Sequence, residues 1–434
     1  MSLEIVGFIG IVIMLVLMFL RMPLGAAMAL AGFVGFGYIV GPNQGFFVLS
    51  STAYKMANSY MLTTLPLFVL MAIFAGSAGM SRDAFITVNK WVGHLHGGLA
   101  MATTVACAGF AAVCGSSIAT AATMCTVAFP EMRRFKYSDE ISLGSICCGG
   151  QLGYMIPPSI PFILYAFLTE ESVGALFMAG IFPGLLITLL FIITIFILTL
   201  RNPHVAPAGP RSSWKEKFAG IYPIWGIVTL IAFVLIGIYL GFFTPTEAGA
   251  VGAFGALILG LVKRQITWKG IIGSLSETGQ VTSMIFLLII GSTIFGSFMA
   301  VSELPFWIAE YIGGLKLPST LILVAILLVY IIVGFFMEII GVMVLTVPII
   351  HPLLLTLGID PVWFGVLVVL TIMIGGITPP VGIVVYAVAG IVKDAPLHTI
   401  FRGVWPFLFA MLIAMVILIA FPQISLWLPS MMMR

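Results

Sequence analysis

Residues 174–200 read GALFMAGIFPGLLITLLFIITIFILTL, a stretch without a single charge. As a helix this stretch is about 40 Å long, more than the ~30 Å hydrocarbon core of a bilayer. Apolar runs of similar character lie at about 5–20, 24–41, 65–79, 141–168, 221–241, 246–262, 281–299, 362–392 and 404–421. Only 8% of the chain is charged and 61% is hydrophobic, whereas soluble domains carry roughly 25% charge. Too few charges remain to cover a soluble fold of this length, so the sequence predicts an all-α polytopic membrane protein. The net charge of +3 is spread over short loops rather than gathered in a patch, which leaves no footprint for nucleic acid. Glu4 precedes the first run and Arg21 follows it. A secretory signal has the opposite order of charge, so Ile5–Leu20 reads as an uncleaved span.

Two further apolar regions, about 98–129 and 320–355, are long enough for two short helices each but too interrupted for two clean spans. Cytoplasmic loops carry an excess of Lys and Arg. Arg21, Arg82 with Lys90, Arg133 with Arg134 and Lys136, the linker RNPHVAPAGPRSSWKEK (201–217), and Lys263 with Arg264 and Lys269 fall on one face only if 98–129 makes no net crossing. The economical reading is a re-entrant hairpin, with both chain termini on the non-cytoplasmic side. The linker divides two halves that echo each other. GGQLGYMIPPSIPFILYA (149–166) is answered by TIMIGGITPPVGIVVYA (371–387), GFAAVCGSSIATAATM (109–124) by GFFMEIIGVMVLTVP (334–348), and AGIFPGLL (179–186) by RGVWPFLF (402–409). The interval between each motif and its echo is nearly constant, which a chance proline pair would not maintain. Five crossings separate the starts of the two units, so the second is expected upside down, with 320–355 entering from the opposite face. Inverted repeats with discontinuous helices are characteristic of secondary transporters. The expected division is N-terminal scaffold spans (1–64), a first repeat (65–200) with its broken helix at about 141–168, the basic linker and further scaffold spans (201–280), and a second repeat (281–434) with its broken helix at about 362–392.

Each half carries a proline pair inside an apolar run. Proline removes the donor for the carbonyl four residues earlier, so Pro157 and Pro158 free the carbonyls of Gly153 and Tyr154, and Pro379 and Pro380 free those of Gly375 and Gly376. Glycine leaves its carbonyl uncrowded, and the hairpin turn CGSSIATAAT (114–123) offers the hydroxyls of Ser116 and Ser117. Broken membrane helices supply the several oxygens that a hard cation such as Na⁺ needs. Glu338 sits in the second hairpin and is a candidate functional acid. Glu247, in FFTPTEAGAVGA (242–253), reads as a helix cap working with Thr244 or Thr246. MSRDAFITVNKWVGHLHG (80–97) and SELPFWIAEYIGGLK (302–316) read as amphipathic interfacial helices that brace a moving part against a fixed one. The five cysteines show no CxxC spacing and read as small buried apolar residues. His94 and His96 lack a third ligand. No paired catalytic acids or nucleophile–base spacing appears on facing spans, so neither enzymatic activity nor an organic cofactor is expected. No continuous polar pore is evident either, which weighs against a channel.

CGSSIATAAT, GYMIPPSIPF, FFTPTEAGAVGA, GIDPVWFGV (358–366) and GGITPPVGI together resemble the large, DctM-like membrane subunit of tripartite ATP-independent periplasmic (TRAP) transporters, within the ion transporter superfamily. The resemblance runs over essentially the whole chain. It implies Na⁺-driven import of an organic acid across the bacterial inner membrane, with a periplasmic substrate-binding protein delivering the carboxylate. It also implies a small four-helix membrane subunit as a separate chain, two or more coupling Na⁺ ions, and an elevator motion of transport against scaffold domain, in contact with membrane lipid. By position, the first Na⁺ site falls on Cys114, Ser116, Gly153, Ile156 and Pro158, mostly through backbone oxygens. The second falls on Gly334, Met373, Gly375 and Thr378. Ser117, Ser159, Pro379 and Glu338 stand beside them as substrate-adjacent candidates. Cys114 stands where relatives often have Ser, Thr371 where many have Asn, and Glu338 where Asp is common. A stand-alone Na⁺/dicarboxylate symporter of the same architecture, loading substrate without a binding protein, is the alternative.

Overall fold

The computed structural model describes residues 2–314 and 317–432, so the last two positions of the expected amphipathic segment 302–316 lie outside the described residues. Among the described residues the chain is helical, without strands. The first half holds α1 (Leu3–Phe19), α2 (Leu24–Ile39), α3 (Pro42–Ala57), α4 (Thr64–Ser77), α5 (Met80–Val92), α6 (Gly98–Cys114), α7 (Ser117–Arg134), α8 (Asp139–Met155), α9 (Ile160–Thr169) and α10 (Val173–Arg201). The linker contains a short α11 (Trp214–Ala219) and leads to α12 (Trp225–Tyr239) and α13 (Pro245–Val262). The second half holds α14 (Trp268–Val301), α15 (Leu304–Gly314), α16 (Ser319–Gly334), α17 (Ile339–Thr356), α18 (Pro361–Ile377), α19 (Ile383–Ile391), α20 (Leu397–Ala420) and α21 (Gln423–Met432).

Local chemistry fixes many of the starts. Ser138 and Ser172 accept from the backbone N–H three residues on, opening α8 and α10. Asp360 does the same for α18, where Pro361 occupies the first helical position. At α13, Thr244 and Glu247 form a reciprocal capping box: Glu247 N–H donates to Thr244 Oγ1 at 3.2 Å and Thr244 N–H to Glu247 Oε2 at 2.8 Å. Glu247 is therefore a cap, as its sequence context indicates. Its neighbour Thr246 instead meets Thr64 of α4, hydroxyl to hydroxyl at 2.6 Å.

The repeat is visible in the element order. Helices starting at Gly98, Ser117, Asp139 and Ile160 recur, at a near-constant interval, as helices starting at Ser319, Ile339, Pro361 and Ile383. In each half two helices form a hairpin through a short turn, and a broken helix follows. The hairpins also exchange partners: α7 packs against α19 of the other half, and α17 against α9. The broken helices form the centre. Every residue of α8 from Ile141 to Met155 is buried, and nearly all of α18. At the perimeter α10 and α12 expose large apolar side chains such as Leu189, Phe196 and Phe233. Close helix packing comes from small residues. Where α2 meets α14, a Cβ on Gly32 would lie 2.7 Å from the Phe295 backbone.

Several expectations are revised. Among the described residues seven helical stretches, counting α8–α9 as one and α11–α12 as another, are long and apolar enough to cross a membrane, or eight if bent α3–α4 is one span. The sequence predicts ten crossings; α1, α2 and α18 are apolar but only 16 or 17 residues long. α17, expected as a re-entrant arm, is itself long and apolar enough to span. The span expected at 281–299 is the end of a 34-residue helix that begins at Trp268. Its first turns mix Lys269, Ser274, Ser276, Glu277 and Thr278 with apolar residues, which masks helix as loop. Helices α3, α11 and α21 have no counterpart among the expected elements.

Candidate functional site

In the first half, α8 ends at Met155, Ile156 turns extended, and the Pro157–Pro158 peptide is cis before α9 restarts at Ile160. The tip of the α6–α7 hairpin is seated on this break. Gly115 takes a left-handed conformation (φ 58°), and Ser116 is extended and caps α7 by accepting from Ala119 N–H. A Cβ on Gly153 would lie 2.8 Å from the Ser116 carbonyl oxygen, and one on Gly115 would lie 3.0 Å from that of Pro158. Tip and break thus meet backbone to backbone because both positions lack a side chain.

The second half repeats this with different residues. α18 ends at Ile377, Thr378 is extended, Pro379–Pro380 is cis, and Gly382 (φ 60°) leads into α19. A Cβ on Gly375 would sit 2.8 Å from the Gly334 backbone and 3.0 Å from the Ile331 carbonyl oxygen. Each predicted cation set is therefore brought to one tip–break junction, except Met373, buried inside α18 four residues before its end.

The proposed free carbonyls are only partly free. Ser159 Oγ donates to the Tyr154 carbonyl at 2.5 Å, and Thr378 N–H to that of Gly375 at 3.1 Å. Gly153 and Gly376 keep carbonyls without such a donor among the described residues. At the first junction the Ser116 carbonyl faces Gly153 and the Pro158 carbonyl faces Gly115, backbone oxygens of the kind a hard cation takes, although the Ser116 carbonyl already accepts from Thr120 Oγ1 at 2.7 Å. Cys114 contributes no side-chain oxygen, its thiol lying 3.8 Å from the Ser116 carbonyl as a donor. At the second, Thr378 Oγ1 donates to the Ile374 carbonyl at 2.6 Å and so retains its lone pairs for a ligand.

Both tips open on one cavity of about 800 Å³, walled mainly by α2, α4 and α14, with Met18 of α1 and Ile160 of α9. Ser116 and Glu338 reach it; so do Tyr154, of which sequence reasoning used only the carbonyl, and Glu277, which it did not assign to the site. Tyr154 OH donates to Glu338 Oε1 at 2.9 Å, tying the first broken helix to the second tip. Glu338 also caps α17, accepting from Ile340 N–H at 3.1 Å. Three of the substrate-adjacent candidates lie elsewhere. Ser117 and Ser159 are fully buried and turn inward, Ser117 donating to Gln151 Oε1 at 3.0 Å. Pro379 does not line the cavity. Buried Gln151 is the third residue missed: its Nε2 lies 3.1 Å from where a Cβ on Gly376 would be, so it touches both halves. Its signal was a lone amide in an otherwise apolar break; Glu277 had none, because it falls outside the apolar runs.

The family model of the tripartite ATP-independent periplasmic transporter DctM component matches residues 11–424. The chain belongs to this family. It is 36% identical over 384 residues to the C4-dicarboxylate TRAP transporter large permease protein DctM of Pseudomonas aeruginosa, covering 88% of this chain and 89% of that one. Over 416 residues it is 32% identical to the sialic acid TRAP transporter large permease protein SiaM of Vibrio cholerae, covering 95% and 96%. The ectoine TRAP transporter large permease protein TeaC of Halomonas elongata is 31% identical over 97% of this chain and 98% of its own. Among solved structures, the Alcanivorax borkumensis YdaH transporter superposes with a TM-score of 0.64 over 88% of this chain and 89% of that one. At 15% identity that likeness concerns the fold alone. This DctM-family chain is thus a multi-pass transporter permease, with its relatives' overall helical build.

Proposed function

We propose that this permease is the large subunit of a Na⁺-coupled importer of an organic carboxylate, working by an elevator motion in a bacterial inner membrane. The observation that carries the reading is the pair of tip–break junctions, each made of glycine backbone against facing backbone, with residues of both hairpin tips lining a single cavity. Ser116, Gly153, Pro158 and the backbone of Cys114 and Ile156 would hold one ion. Gly334, Gly375, Thr378 and the Met373 carbonyl would hold the second. Na⁺ supplies charge and oxygen coordination that bind tip to break; the protein supplies the oxygens and the closeness of approach. The named substrates of the relatives, C4-dicarboxylates, sialic acid and ectoine, share a carboxylate, which supports that substrate class here. First-turn N–H groups at the start of α7 offer it a partner.

A tripartite family supports two further partners, a small membrane subunit and a soluble periplasmic binding protein. The isethionate TRAP permease DctMQ of Oleidesulfovibrio alaskensis is matched over only 60% of its own length, leaving room in that chain for a second component. In this reading both termini are periplasmic and the hairpins enter from opposite faces. The test is uptake of a carboxylate panel into vesicles holding both membrane subunits. Uptake should require the binding protein and a Na⁺ gradient; uptake by this subunit alone would instead establish the stand-alone symporter.

A further inference from the structure

We infer that the linker helix α11, laid along α5, forms a docking surface for an anionic phospholipid. This role is separate from the transport reading and follows from the chain being a multi-pass membrane protein. Trp214–Tyr239 runs as one span of 26 residues, about 39 Å long against a hydrocarbon core of ~30 Å. The surplus falls at α11, because its Lys215, Glu216 and Lys217 are excluded from hydrocarbon. α11 therefore stands in the headgroup layer. Its Trp214 and Phe218 are exposed, and exposed Ile221 and Trp225 continue the same helical spacing. Val228 and Ile236, also exposed, carry the apolar surface on along α12. A surface that passes from charged and aromatic to aliphatic suits one lipid, headgroup at one end and chains at the other.

The basic groups are held in place rather than left loose. Gly209 N–H donates to the Gly93 carbonyl at 2.9 Å and Thr87 Oγ1 to the Gly220 carbonyl at 2.6 Å, fastening the linker to α5 on both sides of α11. Between these points Trp91 of α5 meets Trp214 and Phe218 edge-on, with ring centres 6.4 and 5.8 Å away. Lys217 Nζ lies 5.0 Å from the centre of the Trp214 ring and 5.9 Å from that of Trp91, within cation–π range. Among the described residues no carboxylate forms an ion pair with Lys90, Arg211, Lys215 or Lys217. Glu216 is committed to its own helix start, where its Oε2 accepts from Ser213 N–H at 2.7 Å. The cations are thus gathered around an indole pair in the headgroup layer with no ion-paired acid. A headgroup with net negative charge gains from them what a zwitterionic one does not.

The test titrates the purified full chain in neutral detergent with phosphatidylglycerol and with phosphatidylcholine of the same chains. Native mass spectrometry reads the first lipid bound. Phosphatidylglycerol should bind about tenfold or more tightly. Lys217→Gln should cut that preference about fivefold, and Lys217→Arg should keep it. Lys269→Gln is the comparison: Lys269 is exposed beside exposed Trp268 but lies over no ring among the described residues, so the preference should not change. Thermal midpoints report whether each variant is folded. Equal binding of the two lipids, or an unchanged preference in folded Lys217→Gln, would overturn the inference. So would an equal fall in Lys269→Gln, which would make the preference a diffuse surface charge. Displacement of phosphatidylglycerol by millimolar inorganic phosphate would overturn it in favour of a free-anion site. Loss of the preference when the small membrane subunit co-purifies would overturn it in favour of a protein contact. Each of these results leaves the transport reading standing.

Discussion

Gly153 and Gly375 set how closely each hairpin tip sits on its break. A Cβ at either position would come within 2.8 Å of the facing backbone, Ser116 in one case and Gly334 in the other. Backbone cannot swing aside like the end of a long side chain, so the two segments must separate. Gly153→Ala and Gly375→Ala should each cost about 1–3 kcal/mol, as overpacking does, and depress Na⁺-driven uptake more than stability. Gly109→Ala is the internal comparison, because no atom lies within 4 Å of its added methyl. That helical position should be neutral or gain a few tenths of a kcal/mol. Thermal midpoints and uptake of the three variants, side by side, check this. At this scale the sequence was partly legible. The proline pairs pointed to Gly153 and Gly375, the glycines that face the hairpin tips, since loss of a donor four residues back follows from covalent chemistry alone. The Tyr154–Glu338 bond was not legible: the partners are 184 residues apart, and nothing local in either segment specifies the other. The carbonyls taken by Ser159 and Thr378 were missed for a related reason, since turn geometry, not residue type, brings those donors into place.

Among elements, the open end of the first hairpin is held by charge. Arg133, at the end of α7, pairs with Asp139 at the start of α8 through two hydrogen bonds of 3.0 and 2.7 Å. The same guanidinium reaches Asp394, beyond α19 in the other half. The hydrogen bond from Arg133 holds the Asp394 carboxyl below its ordinary range. A carboxylate with a depressed folded-state pKa stabilises the fold above the unfolded value, about 3.9, and loses that contribution as pH falls through its lower folded value. Asp394→Ala should therefore lower the thermal midpoint at pH 7, and the gap should narrow below about pH 4 and in high salt. A gap that is constant with pH would assign the loss to packing instead. Elements with strong local signals were legible: both hairpins, both breaks and the amphipathic α5. The early start of α14 was not, because polar residues in its first turns suit solvent-exposed loop equally well. Helix α3 was hidden likewise by Asn43, Gln44, Ser50, Ser51 and Thr52.

For the whole molecule, the repeat organises everything else. Helix starts recur at a near-constant interval, the broken helices occupy the centre, and each hairpin's second arm packs on the other half's broken helix. An internal offset in sequence is visible without structure because both halves must satisfy the same backbone break. The exchange of partners is not, since it depends on how the halves face each other. That exchange brings both hairpin tips to one cavity, so under the proposed function an ion held at either tip bears on the same substrate. Uptake should accordingly rise sigmoidally with Na⁺. The decisive measurement is the Na⁺ dependence of carboxylate uptake in vesicles containing both membrane subunits and the binding protein, for wild type, Ser116→Ala and Thr378→Ala. Each variant should insert normally yet need about tenfold more Na⁺ for half-maximal uptake, the equivalent of one lost ligand of about 1.4 kcal/mol. An unchanged Na⁺ dependence in both variants, or uptake that persists once the Na⁺ gradient is collapsed, would contradict cation sites at the two junctions.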